Sequence, residues 1–307
     1  RDKIERIYKF CFLFSFMKNS KKAFFYALLT AVLWGTVPTV SKITLKNINF
    51  LQFTTYTLFF ASIFMIFVLS FQKKLKSIKK YRKKDWLIMI LMGIFGIFLP
   101  YLLYFGGINF ASPTDAQILN NTWQIFAIFF AFLILKEKLT LSKIIAVLLG
   151  FIGVIFILRQ GFSYSVSSLY FLGLMLALGS AVIDSLFYIL GKKLSFETWF
   201  SLTTYYIFAF FSAFVSTILF SSFTKISFVS LIGIMYVGIF GIALPIALMF
   251  TALKLEKTSK IISISYLSPF LSLLFISIFL GDKIYLLQIV GLVLITLGIV
   301  INSREKS

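Results

Sequence analysis

Histidine is absent from this chain of 307 residues, and cysteine occurs once, at Cys11. The sequence therefore offers no histidine for general base catalysis or a proton relay, no metal site built from His and Cys, and no disulfide framework. Charged residues make up only 13% of the chain, against 60% hydrophobic residues. That polar content is too low to cover a water-soluble globule, so the composition predicts a protein embedded in lipid.

Acidic residues are also scarce, with 10 Asp and Glu against 30 Lys and Arg and a net charge of +20. The basic residues cluster in short runs between apolar stretches, which is the pattern of the positive-inside rule and not of a nucleic-acid surface. No nucleic-acid partner is therefore predicted. The chain also lacks a Gly-x-x-x-x-Gly-Lys-Ser/Thr loop, which excludes ATP as a direct energy source. No metal or other cofactor is predicted.

Ten apolar segments follow one another, each about as long as a transmembrane helix. They cover residues 23–45, 51–72, 86–110, 114–136, 140–158, 168–190, 198–220, 228–254, 258–280 and 284–302. With a cytoplasmic N-terminus, 25 Lys and Arg residues fall on the cytoplasmic side and 5 on the other. This bias predicts a multi-pass protein of the cytoplasmic membrane with both termini in the cytoplasm. Residues 1–20 are predicted to form a cytoplasmic or interfacial segment, and residues 1–16 stay open to the alternative that the working protein begins at Met17.

An internal repeat relates the two halves of the chain. The segment Gly93–Phe105 recurs as Gly238–Phe250, with nine of thirteen positions identical. Because each copy contains an odd number of spans, the copies must cross the membrane in opposite senses. We therefore predict an all-α integral membrane fold of ten transmembrane helices, arranged as an inverted five-plus-five repeat with copies at 21–158 and 168–302. Repeats of this kind are typical of transporters whose site lies near the midplane.

Short motifs in register with the repeat carry a resemblance to a known family. The first span contains Leu33-Trp34-Gly35-Thr36, and the fourth is followed by Leu135-Lys136-Glu137-Lys138-Leu139, with Leu280-Gly281-Asp282-Lys283 at the matching place in the second copy. Over residues 21–302 the chain resembles the drug/metabolite transporter superfamily, specifically its EamA-type permeases, although Asp282 stands where Glu is more usual. The resemblance implies export of amino acids, other metabolites or drugs.

The fourth span carries an unusual run of polar residues, and three of its amides fall on one helical face. Lipid cannot satisfy three amides, so this face is expected to look into the bundle or a wet cavity. The alternative is that these side chains only hold helices together. The predicted substrate-binding residues, which repeat symmetry brings to the middle of the bundle, are Trp34, Gln117, Asn121, Gln124, Ser263 and Tyr266.

Asp184 is the one acid well inside a predicted span. An acid near the bilayer centre costs about 2.5–3.5 kcal/mol on insertion scales, so it is expected to have a role. It can take up a proton, pair with a substrate amine, or stay solvated beside a vestibule, and we treat it as the proton-coupling candidate. Pro100 and Pro245 are repeat-related and are predicted as hinges, because each removes a backbone donor. Lys42 is expected to reach the membrane interface and not to bind substrate.

The sequence thus predicts a secondary transporter that moves a small metabolite, an amino acid or a related compound, by alternating access, with export as the expected direction. A flippase of lipid-linked substrates and a multidrug exporter of the same superfamily remain alternatives. An intramembrane enzyme is a more distant one, because the single deep acid has no second acid or histidine beside it. No catalytic residue is predicted, and the protein is not expected to be an enzyme.

Overall fold

The computed structural model describes residues 19–72, 81–136, 140–163, 167–255, 264 and 267–303, and all regular secondary structure in these ranges is helical. The α-helices in chain order are α1 (Asn19–Leu45), α2 (Phe50–Phe71), α3 (Lys83–Gly93), α4 (Leu99–Phe110), α5 (Pro113–Asn120), α6 (Trp123–Leu135), α7 (Leu141–Ser163), α8 (Ser168–Lys193), α9 (Thr198–Phe220), α10 (Phe228–Tyr236), α11 (Leu244–Leu255), α12 (Leu267–Leu280) and α13 (Leu286–Ser303). The predicted all-helical class is confirmed over this part of the chain.

Within the described ranges, 7 helical stretches are long and apolar enough to cross a bilayer. They are Asn19–Leu45, Phe50–Phe71, Lys83–Phe110, Pro113–Leu135, Ser168–Gly191, Thr198–Phe220 and Phe228–Ala252. Two shorter apolar helices follow, at Leu267–Leu280 and Leu286–Gly298. A helix of 23 residues, α7, also occupies the place of the predicted fifth span. These elements agree with a multi-span membrane protein, while the total of ten spans stays a prediction.

The bundle is apolar on its outside, and its mainly apolar interior also contains polar groups. Phe71, Phe220 and Phe228 are 74%, 76% and 76% exposed, as expected for side chains in contact with lipid. In the interior, the Ser62 hydroxyl donates a 2.8 Å hydrogen bond to the carbonyl oxygen of Tyr206, which joins α2 to α9. Because lipid offers no partners, such polar groups have to be satisfied between helices.

The two copies of the repeat share an irregularity in the backbone. A π-helical segment, Ile94–Phe98, lies between α3 and α4, and a second one, Val237–Ala243, lies between α10 and α11. Pro100 and Pro245 lie two residues after these segments and are both buried. Proline has no N–H and cannot close the ordinary bond to the carbonyl four residues earlier, so the helix relaxes into a wider turn before it.

Matched hydrogen bonds define the two wide turns. The N–H of Leu99 donates to the carbonyl of Ile94, and the N–H of Leu244 donates to the carbonyl of Ile239. Each bond reaches back five residues, which is the π-helical pattern. The four residues keep the offset of the sequence repeat, so the duplication extends to backbone geometry.

Two repeat-related glycines at the wide turns make matched helix contacts. A Cβ at Gly93 would lie 2.7 Å from the carbonyl oxygen of Tyr205 on α9, and a Cβ at Gly238 would lie 2.5 Å from the carbonyl oxygen of Thr57 on α2. Both distances are too short for a side chain, so the backbones touch at these points. Each copy therefore packs its third helix against the second helix of the other copy.

The predicted fourth span is interrupted in its middle. The helix α5 ends at Asn120 and α6 begins at Trp123, with a turn at Asn121 and Thr122. In that turn the N–H of Thr122 donates to the carbonyl of Leu119 at 3.1 Å, three residues back in place of four. This tighter turn changes the direction of α6 relative to α5. The continuous helix predicted over 114–136 has no such turn.

Candidate functional site

A cavity opens inside the bundle between helices of both copies. The empty space between its walls is about 700 Å³, a figure that includes space open to solvent. The lining residues come from the middle of the helices: Trp34, Val37, Gly96, Ile97, Tyr101, Tyr104, Gln117, Asn120, Asn121, Trp123, Ser180, Asp184, Phe187, Tyr188, Gly241, Ile246 and Ser268. Among these described residues Asp184 is the single charged side chain.

Three of the predicted substrate-binding residues, Trp34, Gln117 and Asn121, line this cavity, as does the proton-coupling candidate Asp184. Gln124 is buried but is not part of the wall. Gln124 lies on α6, beyond the turn that interrupts the helix expected to carry all three amides. Ser263 and Tyr266, predicted for the same site, lie outside the described residues.

The amides of α5 are tied to the surrounding structure. The Tyr104 hydroxyl on α4 donates to Oε1 of Gln117, and both side chains are buried. Nδ2 of Asn121 donates to the carbonyl oxygen of Gln117 at 2.8 Å, within its own turn. Asn121 therefore closes the end of α5 as well as bordering the cavity. An amide in this position has a structural task besides any contact with substrate.

Asp184 lies on α8 and is half-buried against the cavity. Its neighbour across the wall is Asn120, whose side chain interacts with the carboxyl group. Nδ2 of Asn120 also donates to the Ser180 hydroxyl at 3.0 Å, one turn earlier on α8. Asn120 and Ser180 were not predicted for the site. Asn120 belongs to the polar run, and Ser180 stands four residues before Asp184, the spacing of one helical face.

Aromatic rings form much of the remaining wall. The rings of Trp123 and Tyr188 are stacked, with centroids 4.7 Å apart and an angle of 30° between the planes. Tyr101, Tyr104 and Tyr188 lie close enough to Asp184 to interact electrostatically with its carboxylate. The sequence contained a signal for Tyr188, which stands one turn after Asp184. Tyr101 and Tyr104 follow the repeated proline, and nothing in their apolar surroundings distinguishes them from lipid-facing residues.

The wide turns reach the cavity as well. Gly96 and Gly241, one from each π-helical segment, are both part of the wall. A Cβ at Gly241 would lie 2.9 Å from Cγ2 of Val37 on α1, and a Cβ at Gly96 would contact the ring of Phe187 on α8. The wide turn before each predicted hinge proline therefore contributes a glycine to the cavity wall, one from each copy. The hinge function itself stays a prediction.

A second group of polar residues lies at the end of the bundle, apart from the cavity. The amine of Lys42 donates to the carbonyl oxygens of Ile108 at 2.8 Å and Ala111 at 3.4 Å, at the C-terminus of α4. A cation is favourable at that end of a helix dipole. Burial raises the pKa of the Asp282 carboxyl, and the charge of Lys42 opposes the shift. Lys42 is not part of the cavity wall.

Metal binding has no support in the described part of the chain. There, no three residues of the types His, Cys, Asp and Glu come close enough together to hold a metal ion. The cavity instead presents one carboxyl, several amides and hydroxyls, and aromatic faces. That set is suited to reversible binding of a small organic molecule.

The sequence model of the EamA-like transporter family matches residues 21–159 and 171–304. The chain belongs to the EamA-like transporter family. The two matched stretches correspond to the two copies of the repeat, and every residue of the cavity wall lies within them.

Individual proteins similar to this chain are also named as transporters. The chain is 32% identical over 187 residues to the uncharacterized transporter YvbV of Bacillus subtilis (strain 168), covering 58% of this chain and 59% of that protein. It is 28% identical over 201 residues to an uncharacterized transporter in the sor 3' region of Acidianus ambivalens, covering 65% of this chain and 77% of that protein. The chain thus matches about three fifths of the length of YvbV.

A solved crystal structure has a similar fold. It superposes with a TM-score of 0.68 at 17% sequence identity, covering 91% of this chain and 95% of that chain. At this identity the likeness concerns the fold alone.

Proposed function

We propose that this EamA-family protein is a secondary transporter that moves a small metabolite across the cytoplasmic membrane by alternating access. The observation that carries the proposal is the cavity, which lies in the interior of an apolar bundle and takes its wall from both copies of the repeat. A midplane site between repeats is the arrangement in which rocking of one half against the other exposes a substrate to each side in turn.

The proposal includes ten spans, an inverted five-plus-five repeat with copies at 21–158 and 168–302, and both termini in the cytoplasm. The matched contacts of Gly93 and Gly238 support the repeat, because each copy uses its third helix against the second helix of the other. The distribution of Lys and Arg supports the orientation. Pro100 and Pro245, beside the paired wide turns, serve as the hinges.

The proposed substrate is an amino acid or a related compound with an amino group, and the proposed direction is export. Trp34, Gln117 and Asn121 contribute to its binding, with Ser263 and Tyr266 as further candidates. Asp184 provides a carboxyl for the amino group or for a coupled proton. A single acid without a second acid or a histidine in the described wall supports transport over intramembrane catalysis.

Alternating access can be tested without knowing the substrate. In a background of Cys11→Ser, the variant Tyr101→Cys places one thiol on the cavity wall. A membrane-impermeant thiol reagent should label it from either side, in right-side-out and in inside-out vesicles, if the cavity opens to both. A thiol at Ile63, which is 48% exposed well inside the apolar helix α2, is the matched control and should stay unlabelled by a water-soluble reagent, because lipid covers it. Labelling of Tyr101→Cys from neither side, or from one side only under all conditions, would contradict the proposal.

Transport itself is tested in proteoliposomes. We expect uptake or efflux of labelled amines and amino acids by vesicles that contain the protein, and no movement of labelled lipid between leaflets in the same vesicles. Lipid movement without metabolite transport would support the flippase in place of the metabolite transporter.

A further inference from the structure

The charge of the cavity wall is one-sided. Asp184 contributes a carboxyl, and no lysine or arginine occurs among the wall residues that the structure describes. A carboxylate held away from bulk water is unfavourable until a positive charge or a proton comes to it. The wall therefore provides half of an ion pair, and a cationic ligand would provide the other half.

The rings around Asp184 favour the same kind of ligand. Trp34, Trp123 and Tyr188 line the cavity, and Tyr188 lies close enough to Asp184 to interact with it electrostatically. The faces of tryptophan and tyrosine attract ammonium groups through the negative charge of their π systems. This attraction is stronger in a partly desolvated cavity than at an exposed surface. An ammonium group beside Asp184 would thus meet a carboxylate and aromatic faces together.

A ligand carboxylate would find a poorer environment. The amides of Asn120 and Asn121 each commit one of their two N–H donors within the protein, to Ser180 at 3.0 Å and to the Gln117 carbonyl at 2.8 Å, so they offer neutral hydrogen bonds and no positive charge. A second carboxylate in the cavity would also be repelled by that of Asp184. Within the described wall, no cation compensates for this repulsion.

We infer that the substrate is a small organic cation that carries an ammonium group and no free carboxylate, such as a primary amine or an ester or amide of an amino acid. The inference rests on the proposed function and narrows its substrate class to the related compounds with an amino group, in preference to free amino acids. The ammonium group lies against Asp184 in the aromatic-lined cavity, and the apolar part of the molecule fills the rest of it. A free amino acid binds more weakly, because its carboxylate is repelled by that of Asp184.

The inference can be tested by measuring how tightly ligands bind to the purified full-length protein in detergent. Two series of ligands are compared, and within each series the side chain stays the same while the charged groups change. The first series is phenethylamine, phenylalanine methyl ester, phenylalanine and N-acetylphenylalanine, and the second is isoamylamine, leucine methyl ester, leucine and N-acetylleucine. We expect the amine and the ester to bind at least tenfold more tightly than the free amino acid in at least one series. The N-acetyl acids should not bind.

The variants Asp184→Asn and Asp282→Asn form a matched pair, because the second removes a carboxyl outside the cavity wall. Asp184→Asn should weaken binding of the amines at least tenfold, Asp184→Glu should restore part of it, and Asp282→Asn should leave it unchanged. Equal binding of free amino acids and amines, binding of the N-acetyl acids, or binding of no compound in either series would each overturn the inference. Since labelling of Tyr101→Cys needs no ligand, failure of the inference is distinguishable from failure of the proposed transport function.

Discussion

Gln288 on α13 donates a hydrogen bond of 2.7 Å from Nε2 to Oδ1 of Asp115, at the start of α5. The other carboxylate oxygen accepts from the Ser112 hydroxyl at 3.0 Å and from the Tyr170 hydroxyl on α8. Asp115 and Gln288 are only 2% and 3% exposed, and neither lines the cavity. One buried carboxyl therefore joins an element of the first copy to two helices of the second.

Removal of a donor to Asp115 should destabilise the bundle. Hydrogen bonds to a charged group are worth about 1.5–3 kcal/mol, and a buried carboxylate that loses a donor has no water to replace it. We expect Tyr170→Phe and Gln288→Leu each to lower the free energy of unfolding by about this amount. Tyr56→Phe, which removes a hydroxyl from α2 outside this cluster, is the control. Thermal unfolding of the purified protein measures the effect, and stabilities equal to that of the control would show that these bonds do not hold the helices together.

A methyl group at the paired glycine contacts should be poorly tolerated. Gly93→Ala and Gly238→Ala would place a Cβ 2.7 Å and 2.5 Å from a backbone oxygen of the facing helix. Overpacking of this kind typically costs about 1–3 kcal/mol, because neither backbone can move freely. Gly191→Ala on α8 is the matched control, since nothing lies within 4 Å of its Cβ. The midpoint of thermal unfolding should fall for the first two variants and not for the third. A fall of the same size in all three would indicate a general effect of glycine replacement.

The membrane architecture could be read from the sequence because its signals are strong. Hydropathy locates helices wherever lipid excludes polar side chains, and the duplicated Gly-Ile-Phe-Gly segment relates the halves. The wide turns before Pro100 and Pro245 agree with the expectation of an altered backbone at proline. Their π-helical form depends on the packing of the surrounding helices, which the sequence does not state.

The cavity wall was only partly predictable. Gln117 and Asn121 could be found because amides cannot face lipid. The turn at Thr122 could not be predicted, since neither glycine nor proline marks it. The prediction of Gln124 for the cavity wall assumes a continuous helix. Tyr101 was missed because an aromatic residue in an apolar helix has the same local sequence whether it faces lipid or substrate.

The predicted hinges can be tested by restoring the missing backbone donor. Pro100→Ala and Pro245→Ala allow an ordinary helical hydrogen bond in place of the wide turn. We expect both variants to fold and to transport more slowly, with the larger loss in the double variant, because both copies have to bend. Pro113→Ala is the control, since proline in the first turn of α5 displaces no helical bond. Initial rates in proteoliposomes, at equal amounts of inserted protein, measure the effect. Unchanged rates in the double variant would show that the prolines only shape the helices.

The tyrosine that supports Gln117 should affect substrate affinity more than folding. Tyr104→Phe removes the hydroxyl that donates to Oε1 of Gln117, while the ring continues to fill its place. The freed amide can rotate, so we expect the substrate concentration at half-maximal rate to rise several-fold with a smaller change in the maximal rate. Tyr236→Phe, whose hydroxyl is hydrogen-bonded to Thr36 outside the cavity wall, is the matched control. Equal effects of the two variants would assign the change to general loss of a buried hydroxyl.

Proton coupling should depend on Asp184. The amide in Asp184→Asn imitates the protonated acid, so the variant should fold and insert normally, but it cannot release or take up a proton. If substrate export is driven by proton entry, wild-type transport should accelerate when the pH is lower on the side from which protons enter, and the variant should ignore the gradient. Burial also raises the pKa of Asp282, so Asp282→Asn is needed as the control and should keep the wild-type response. Transport assayed at imposed pH gradients of both signs measures the coupling. Wild-type transport that already ignores the gradient, together with a fully active Asp184→Asn variant, would mean that the protein is a facilitator and that Asp184 contributes no proton.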